Sequence, residues 1–195
     1  MAFAIPKIEY KNVTRTGDTH TNTTIDDLSS TSDLEAGMTV TGSGVPTGAT
    51  IVSVDSASAI TISAATTSSL NNTSLSFAHV ISFDYPPKED KGDSKTINSA
   101  TSVSLSGVRQ VSVNHTEVIR APIFSFLSPT LYTSMVTFLD SHACLGEAFR
   151  YYEDKTSGTY TDYELKDLKY DPKKIAPRST TTYVWEIALR FRRVA

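Results

Sequence analysis

Four histidines (His20, His79, His115 and His142) and one cysteine, Cys144, are the side chains of this 195-residue chain best suited to metal binding or nucleophilic chemistry. The histidines fall in four separate segments without the paired spacing a zinc or transition-metal site draws from one stretch. His142 stands near the end of a helical pattern, where a cationic ring interacts favourably with the helix dipole. Cys144 lies just beyond it and suits a small buried hydrophobe; a reactive thiolate would need a basic partner, which proximity to His142 along the chain does not establish. Asp18-Thr-His-Thr-Asn22 with Asp26-Asp27 lacks the spaced ligands, central Gly and terminal Glu of a calcium loop, so a solvated turn is expected. No phosphate-cradling glycine loop, nucleophile elbow or HExxH helix occurs. The sequence predicts no catalytic residue, no bound metal and no cofactor, hence a protein that is not an enzyme.

Two groups of residues suit contact rather than reaction. Tyr151, Tyr152, Tyr160, Tyr163 and Tyr170 concentrate in one stretch, and tyrosine is favoured where one end of a side chain is buried and the other wet. Ordinary strand packing and an interface both account for them. Arg190, Arg192 and Arg193, with Lys169, Lys173, Lys174 and Arg178, gather positive charge toward the C-terminal end. A solvated face accounts for that run; in a ring the same charges could face a lumen or a neighbouring copy and touch passing DNA.

Composition bounds the rest. With 18 Lys and Arg against 21 Asp and Glu, and pI near 5.8, the chain lacks the clustered basic surface that holds nucleic acid by counterion release. A single cysteine allows no internal disulfide, so stability must come from packing or assembly. The first twenty residues lack a charged region followed by an apolar core, and no run approaches 18 apolar residues, so neither an export signal nor a membrane anchor is expected.

These averages conceal a break. From Thr14 to Ala78, 27 of 65 residues are Ser or Thr, Lys is absent, Phe77 is the one aromatic and the net charge is −5, which leaves +2 and the other 17 aromatics to the remaining 130 residues. Residues 14–78 are expected to be an inserted β-module and residues 1–13 with 79–195 a β body. In the module, Met38–Val45, Ala49–Val54, Ala59–Ser63 and Ser74–Phe77 read as short strands separated by Gly, Pro and Asp turns. Its ends, Val13 and His79, would lie close together if the flanking strands pair.

In the body, strands are expected at Ile81–Tyr85, stopped by Pro86-Pro87, then after a charged loop from Lys88 to Lys95 at Ser102–Val113 and Glu117–Leu127, as an antiparallel sheet with one packed and one wetter face. Gly107 is offset from the Val103, Leu105, Val111, Val113 alternation as a turn or bulge would be. Ser128-Pro129 starts a helix running to about residue 143, with Leu131, Met135, Phe138 and Leu139 as its apolar stripe and Gly146 as its left-handed stop. Ala148–Tyr152 and Thr159–Leu165 form a hairpin, Asp171–Arg178 is a break, and Tyr183–Arg193 is a final strand with Tyr183, Trp185, Ile187, Leu189 and Phe191 on its core face.

The Gly37–Asp55 stretch, GMTVTGSGVPTGATIVSVD, resembles a small Ig-like β-module that recurs as an insertion in tail and adhesion proteins of bacterial viruses. The order from Ser102 to Ala195 (strand pair, Ser-Pro-capped helix, Gly146, FRYY, hairpin, WEIALRF) resembles the distal tail or minor tail proteins at the tip of long-tailed phages. That resemblance implies an antiparallel β-sandwich or barrel with one flanking helix, a homo-oligomer assembled as a hexameric ring, and a place at the distal end of the virion tail. The expected partners are the tail tube protein and the tail-tip or baseplate hub proteins. Another tail-tube-fold ring, such as a tail terminator or head–tail connector, shares the pattern. A glycan- or receptor-binding role for the insertion is a separate alternative, as is a cell-wall hydrolase, which would need paired acids in a cleft.

Overall fold

The computed structural model describes residues 4–175 and 184–194. It is mainly β, 50% strand against 9% helix, in antiparallel sheets with one flanking helix, consistent with a β-sandwich. The strands are β1 Lys7–His20, β2 Thr24–Asp26, β3 Thr39–Gly42, β4 Ile51–Val54, β5 Ile60–Ile62, β6 Ser69–Ser82, β7 Ser94–Val103, β8 Arg109–Arg120 and β9 Ile123–Leu127. The helix α1, Pro129–Ser141, is followed by β10 Phe149–Tyr152, β11 Thr161–Leu165, β12 Asp171–Ile175, β13 Val184–Ala188 and β14 Phe191–Arg193. The chain divides into two compact units, a module from Glu9 to Val80 and a body formed by residues up to Ile8 and from Ile81 onward.

The module has its own core. Strands run in the order β4-β5-β2-β1, and β6 pairs with both β1 and β3. Ile25, Met38, Val40, Ile51, Ile60, Ile62, Leu75 and Phe77 are buried together, with Val13 packed against them. The short strands fit because their β-branched residues alternate between this core and water. Gly42 is required where β3 meets β6: a Cβ there would lie 2.6 Å from the Leu75 side chain and 3.0 Å from the Ser74 carbonyl oxygen. A cluster this complete, entered and left by paired strands β1 and β6, motivates a deletion experiment. Replacing residues 9–80 by a short Gly/Ser link is expected to leave the body's cooperative unfolding intact, followed by near-ultraviolet circular dichroism; a body that no longer folds would show the module to be integral.

The body carries five strands in the order β10-β11-β14-β8-β7 and a three-stranded sheet, β12-β13-β9. Aromatic rings fill its core: Phe83 stacks on Phe124 at 4.3 Å, Phe191 meets Phe149 edge-on at 4.9 Å, and Phe149 meets Phe138 of α1 edge-on at 5.1 Å. The Ser128 hydroxyl accepts from the Leu131 amide at 3.2 Å, Pro129 opens the first turn, and Met135, Phe138 and Leu139 are buried. Gly146 ends the following turn at φ 83°. Ser128→Ala, which leaves that amide unpaired, is expected to cost about 1 kcal/mol in urea unfolding.

Several strands differ from their sequence expectation. The final strand is two: β13 pairs with β9 and β12, whereas β14 pairs with β11 and β8, and Leu189-Arg190 carries the chain between the sheets. Ile187, Leu189 and Phe191 nevertheless stay buried in alternation with exposed Ala188, Arg190 and Arg192. Tyr183 and Arg178 lie outside the described residues. The expected break after Asp171 begins as strand β12, in which Pro172 is tolerated because β12 is an edge strand. Ser74–Phe77 and Ile81–Ser82 belong to one strand, β6, and Ala121-Pro122 divides the Glu117–Leu127 run. Strands β1 and β2, whose polar Thr, Asn and Asp content hides the alternation, were not expected; in β1 the inward positions switch parity after Lys11, whose φ of 51° marks a bulge.

Candidate functional site: a long arm and its buried root

The largest departure from expectation is the hairpin of β7 and β8. Ser102–Val113 is not a sheet with one packed face; from Lys95 to Thr116 every described side chain is exposed. The strands extend from Ser94 to Arg120 and pair from Ser94↔Ile119 to Val103↔Arg109. At the tip the Gly107 amide donates to the Ser104 carbonyl at 2.8 Å and the Ser104 amide to the Val108 carbonyl at 2.9 Å, with Gly107 at φ 81°. That is a three-residue hairpin loop in which the left-handed position demands glycine.

Cross-strand partners share a face, so the register sorts the arm's side chains. One face carries Val103/Arg109, Thr101/Val111, Ser99/Val113, Ile97/Thr116 and Lys95/Val118; the other begins Ser102/Gln110 and Ala100/Ser112. Ile97, Val103, Val111 and Val113, each more than half exposed, therefore lie on the same face. The register shift at Asn98/Ser99 turns His115 and Glu117 away from it. Without that bulge, strict alternation would put both on the apolar face beside Val113.

The root of the arm is fixed by charge. Arg120, at the end of β8 and 7% exposed, donates from Nε and Nη2 to the Asp90 carboxylate at 2.8–3.0 Å and from Nη1 to Glu153, and its guanidinium lies 4.8 Å from the centre of the Tyr151 ring. Burial works against the arginine's charge, but the bonds to Asp90 and Glu153 more than offset it and raise its pKa. Burial likewise raises the Tyr151 hydroxyl, which donates to Asp90 at 3.3 Å. Burial and a hydrogen bond to Asp93 push Tyr163 up to about 12. Asp90 and Asp93 immediately precede β7, so both strands of the arm are held at their base.

Carboxylates on β8 and β13 give this region a pH signature. Glu117 accepts from Lys166 Nζ at 2.6 Å, and Glu186 accepts from the Ser125 hydroxyl at 2.6 Å and from Lys88 Nζ at 3.1 Å. These hydrogen bonds hold both groups below their ordinary 4.5. A lowered folded pKa gives stability that is present above the ordinary value and lost as pH falls through the folded one. The thermal midpoint is expected to be flat from neutrality to about pH 5 and to fall below about pH 4.5. Calorimetry across that range checks it, and a midpoint that rises on acidification would contradict it.

The sequence candidates are dispersed. Tyr151 and Tyr163 are buried at the root and Tyr152 is nearly so, with Lys7 Nζ 4.1 Å from its ring centre; they pack the body instead of presenting to solvent. Tyr160 is exposed, beneath the Arg150 guanidinium at 4.5 Å. Tyr170 donates to Asp140 at 2.8 Å. Arg190 pairs with Asp167 at 3.3 Å, Arg192 with Glu164 at 2.6 Å and Arg193 with Asp93 at 3.8 Å, so each positive charge of the last strand faces a carboxylate. His20 pairs with Asp26 across the β1–β2 turn, and buried His142 contacts the Ala148 carbonyl through Nε2. Burial pushes the Cys144 thiol up, away from a reactive thiolate. Among the described residues no group of three or more His, Cys, Asp or Glu side chains could hold a metal ion. Arg120 and Asp90 escaped sequence reasoning; an arginine following Val118 and Ile119 at a strand end was the available signal. Comparison with protein-family models, curated proteins and solved structures gave no match to this chain.

Proposed function

We propose that the chain is a structural protein of a phage-type tail that assembles with copies of itself into a closed ring. The observation that carries this reading is the arm, a ribbon of two strands with four large apolar side chains on one exposed face. Such a ribbon is marginal in water by itself, and an apolar face of this length calls for a covering surface. The β body with its single flanking helix agrees with the fold implied by the resemblance to distal tail proteins. On this reading the ring joins the tail tube protein to the tail-tip or baseplate hub, with a terminator or connector ring as the variant that position in the particle decides. A glycan-binding role for the module has less support, because its aromatics, Tyr10 and Phe77, are both buried. Cryo-electron microscopy of tailed particles containing this chain tests the proposal: ring density at the distal end of the tail supports it, and absence of the chain from the tail overturns it.

A further inference from the structure

We infer that the arm of one copy docks on the Tyr85–Phe126 surface of the next, so that the contact is head-to-tail; this rests on the ring-forming reading above. Tyr85 and Phe126 are 59% and 60% exposed, with ring centres 6.2 Å apart in an edge-on arrangement. They adjoin Phe124 and Leu131 on a closely packed surface with no open cavity.

Phe126 is held there at a conformational cost. Its φ is 60°, a left-handed backbone that is unusual for a bulky residue. It occupies the register shift where β9 passes Trp185 and Ile187 of β13, and neighbouring Ser125 is tied down by Glu186. A strained backbone that displays an aromatic ring to solvent suits a binding anchor, since aromatic side chains are prominent among the residues that dominate interface energies. The outer edge of β9 is also largely open: among the described residues its backbone partners on that side are Lys88 and Glu89, both at Ile123.

Two features select a second copy as the occupant. The first is charge: residues 94–116 contain Lys95 and Arg109 and no Asp or Glu, whereas exposed Asp84 and Glu89 flank the aromatic pair and Lys88 is engaged by Glu186. The second is reach. Ten residues of β7 span about 33 Å, close to the width of a body whose radius of gyration is about 14 Å, so an arm can lie along a neighbouring body with Leu105 at its tip. One ribbon face of this length buries on the order of 700 Å² counting both partners, below the roughly 1,000 Å² of a stable pairwise interface. Closure, in which every copy gives one arm and receives another, supplies the missing contact.

The test uses full-length variants that alter exposed positions. Val111→Asp with Val113→Asp disables the arm; Tyr85→Ser with Phe126→Gly disables the dock, and glycine accepts the backbone of position 126 without strain. Each double variant should keep the wild-type thermal midpoint to within a few degrees and be monomeric by sedimentation velocity where the wild type assembles. Mixed in equal amounts, the two retain one competent arm and one competent dock, an unclosed contact that should give a weak dimer, populated only at high concentration, and nothing larger. Assembly by the dock variant alone, as arm-to-arm pairing or docking on the acidic module would give, overturns the inference while leaving ring formation standing. A mixture that assembles into the closed oligomer of the wild type also overturns it. A wild-type chain that never assembles overturns the ring-forming reading itself.

Discussion

Arg120→Ala is expected to destabilise the body by about 3–5 kcal/mol. The arginine side chain is 8% exposed and that of its Asp90 partner 13%, so removing the guanidinium leaves a nearly buried carboxylate with its principal counter-charge gone. Tyr151, whose ring faces the guanidinium and whose hydroxyl donates to the same carboxylate, loses its packing partner as well. Arg120→Lys should recover only part of the loss, because a point charge cannot engage Asp90 through two nitrogens and reach Glu153 through a third. Replacing Arg120 and Asp90 together by Met and Leu should cost less than Arg120→Ala alone, since it removes the orphaned charge along with its partner. Urea unfolding checks the series. A single-variant loss below about 1 kcal/mol would mean that the root is solvated enough to dispense with the pair. Hydrogen exchange should report a second effect, faster exchange of the paired amides at the base of β7 and β8.

Phe191→Ala is expected to cost a comparable amount, about 3–5 kcal/mol. Phe191 is fully buried and its ring lies 4.9 Å from that of Phe149, 5.7 Å from Tyr151 and 5.8 Å from Tyr163. It thus joins α1, through Phe149 and Phe138, to the tyrosines of the arm's root. Truncation leaves a cavity among aromatic rings that are fixed on two strands, β10 and β11, and cannot collapse into it. The body's thermal midpoint should fall by roughly 10–20 °C, whereas Phe191→Leu, which keeps most of the volume, should lose less than half as much. Equal losses for the two variants would indicate that ring geometry, not volume, sets the cost.

What could be read from the residues was governed by how local the determining interactions are. The helix was legible because its signals are contiguous: Ser128 and Pro129 at the start, a stripe from Leu131 to Leu139, and Gly146 beyond the end. The short module strands were legible for the same reason, as β-branched runs between glycine and proline turns. The two-sheet path of the last strand was not, because alternation from Trp185 to Phe191 continues unbroken while the pairing partners change at Leu189-Arg190. The arm was visible as an alternating hairpin around Gly107, but the same pattern describes a strand packed on a core and one awaiting a partner. Exposure is a tertiary property, and only the folded body reveals that among the described residues Val111 and Val113 stay more than half exposed. The tyrosine cluster was ambiguous in the same way, since polar ends that suit a wet interface also suit strand packing; those of Tyr151 and Tyr163 meet Asp90 and Asp93 inside the body. Phe126 gave no signal, since a left-handed aromatic in a bulge depends on the neighbouring strand's register.

Self-association through the arm is the claim on which the functional account rests, and the mass of the intact chain in solution tests it most directly. Sedimentation velocity with native mass spectrometry over a series of concentrations should show monomer giving way to one closed oligomer of fixed size, and Val111→Asp with Val113→Asp should hold the protein at the monomer throughout. A wild-type chain that remains monomeric across the series, or an arm variant that assembles as the wild type does, would contradict it.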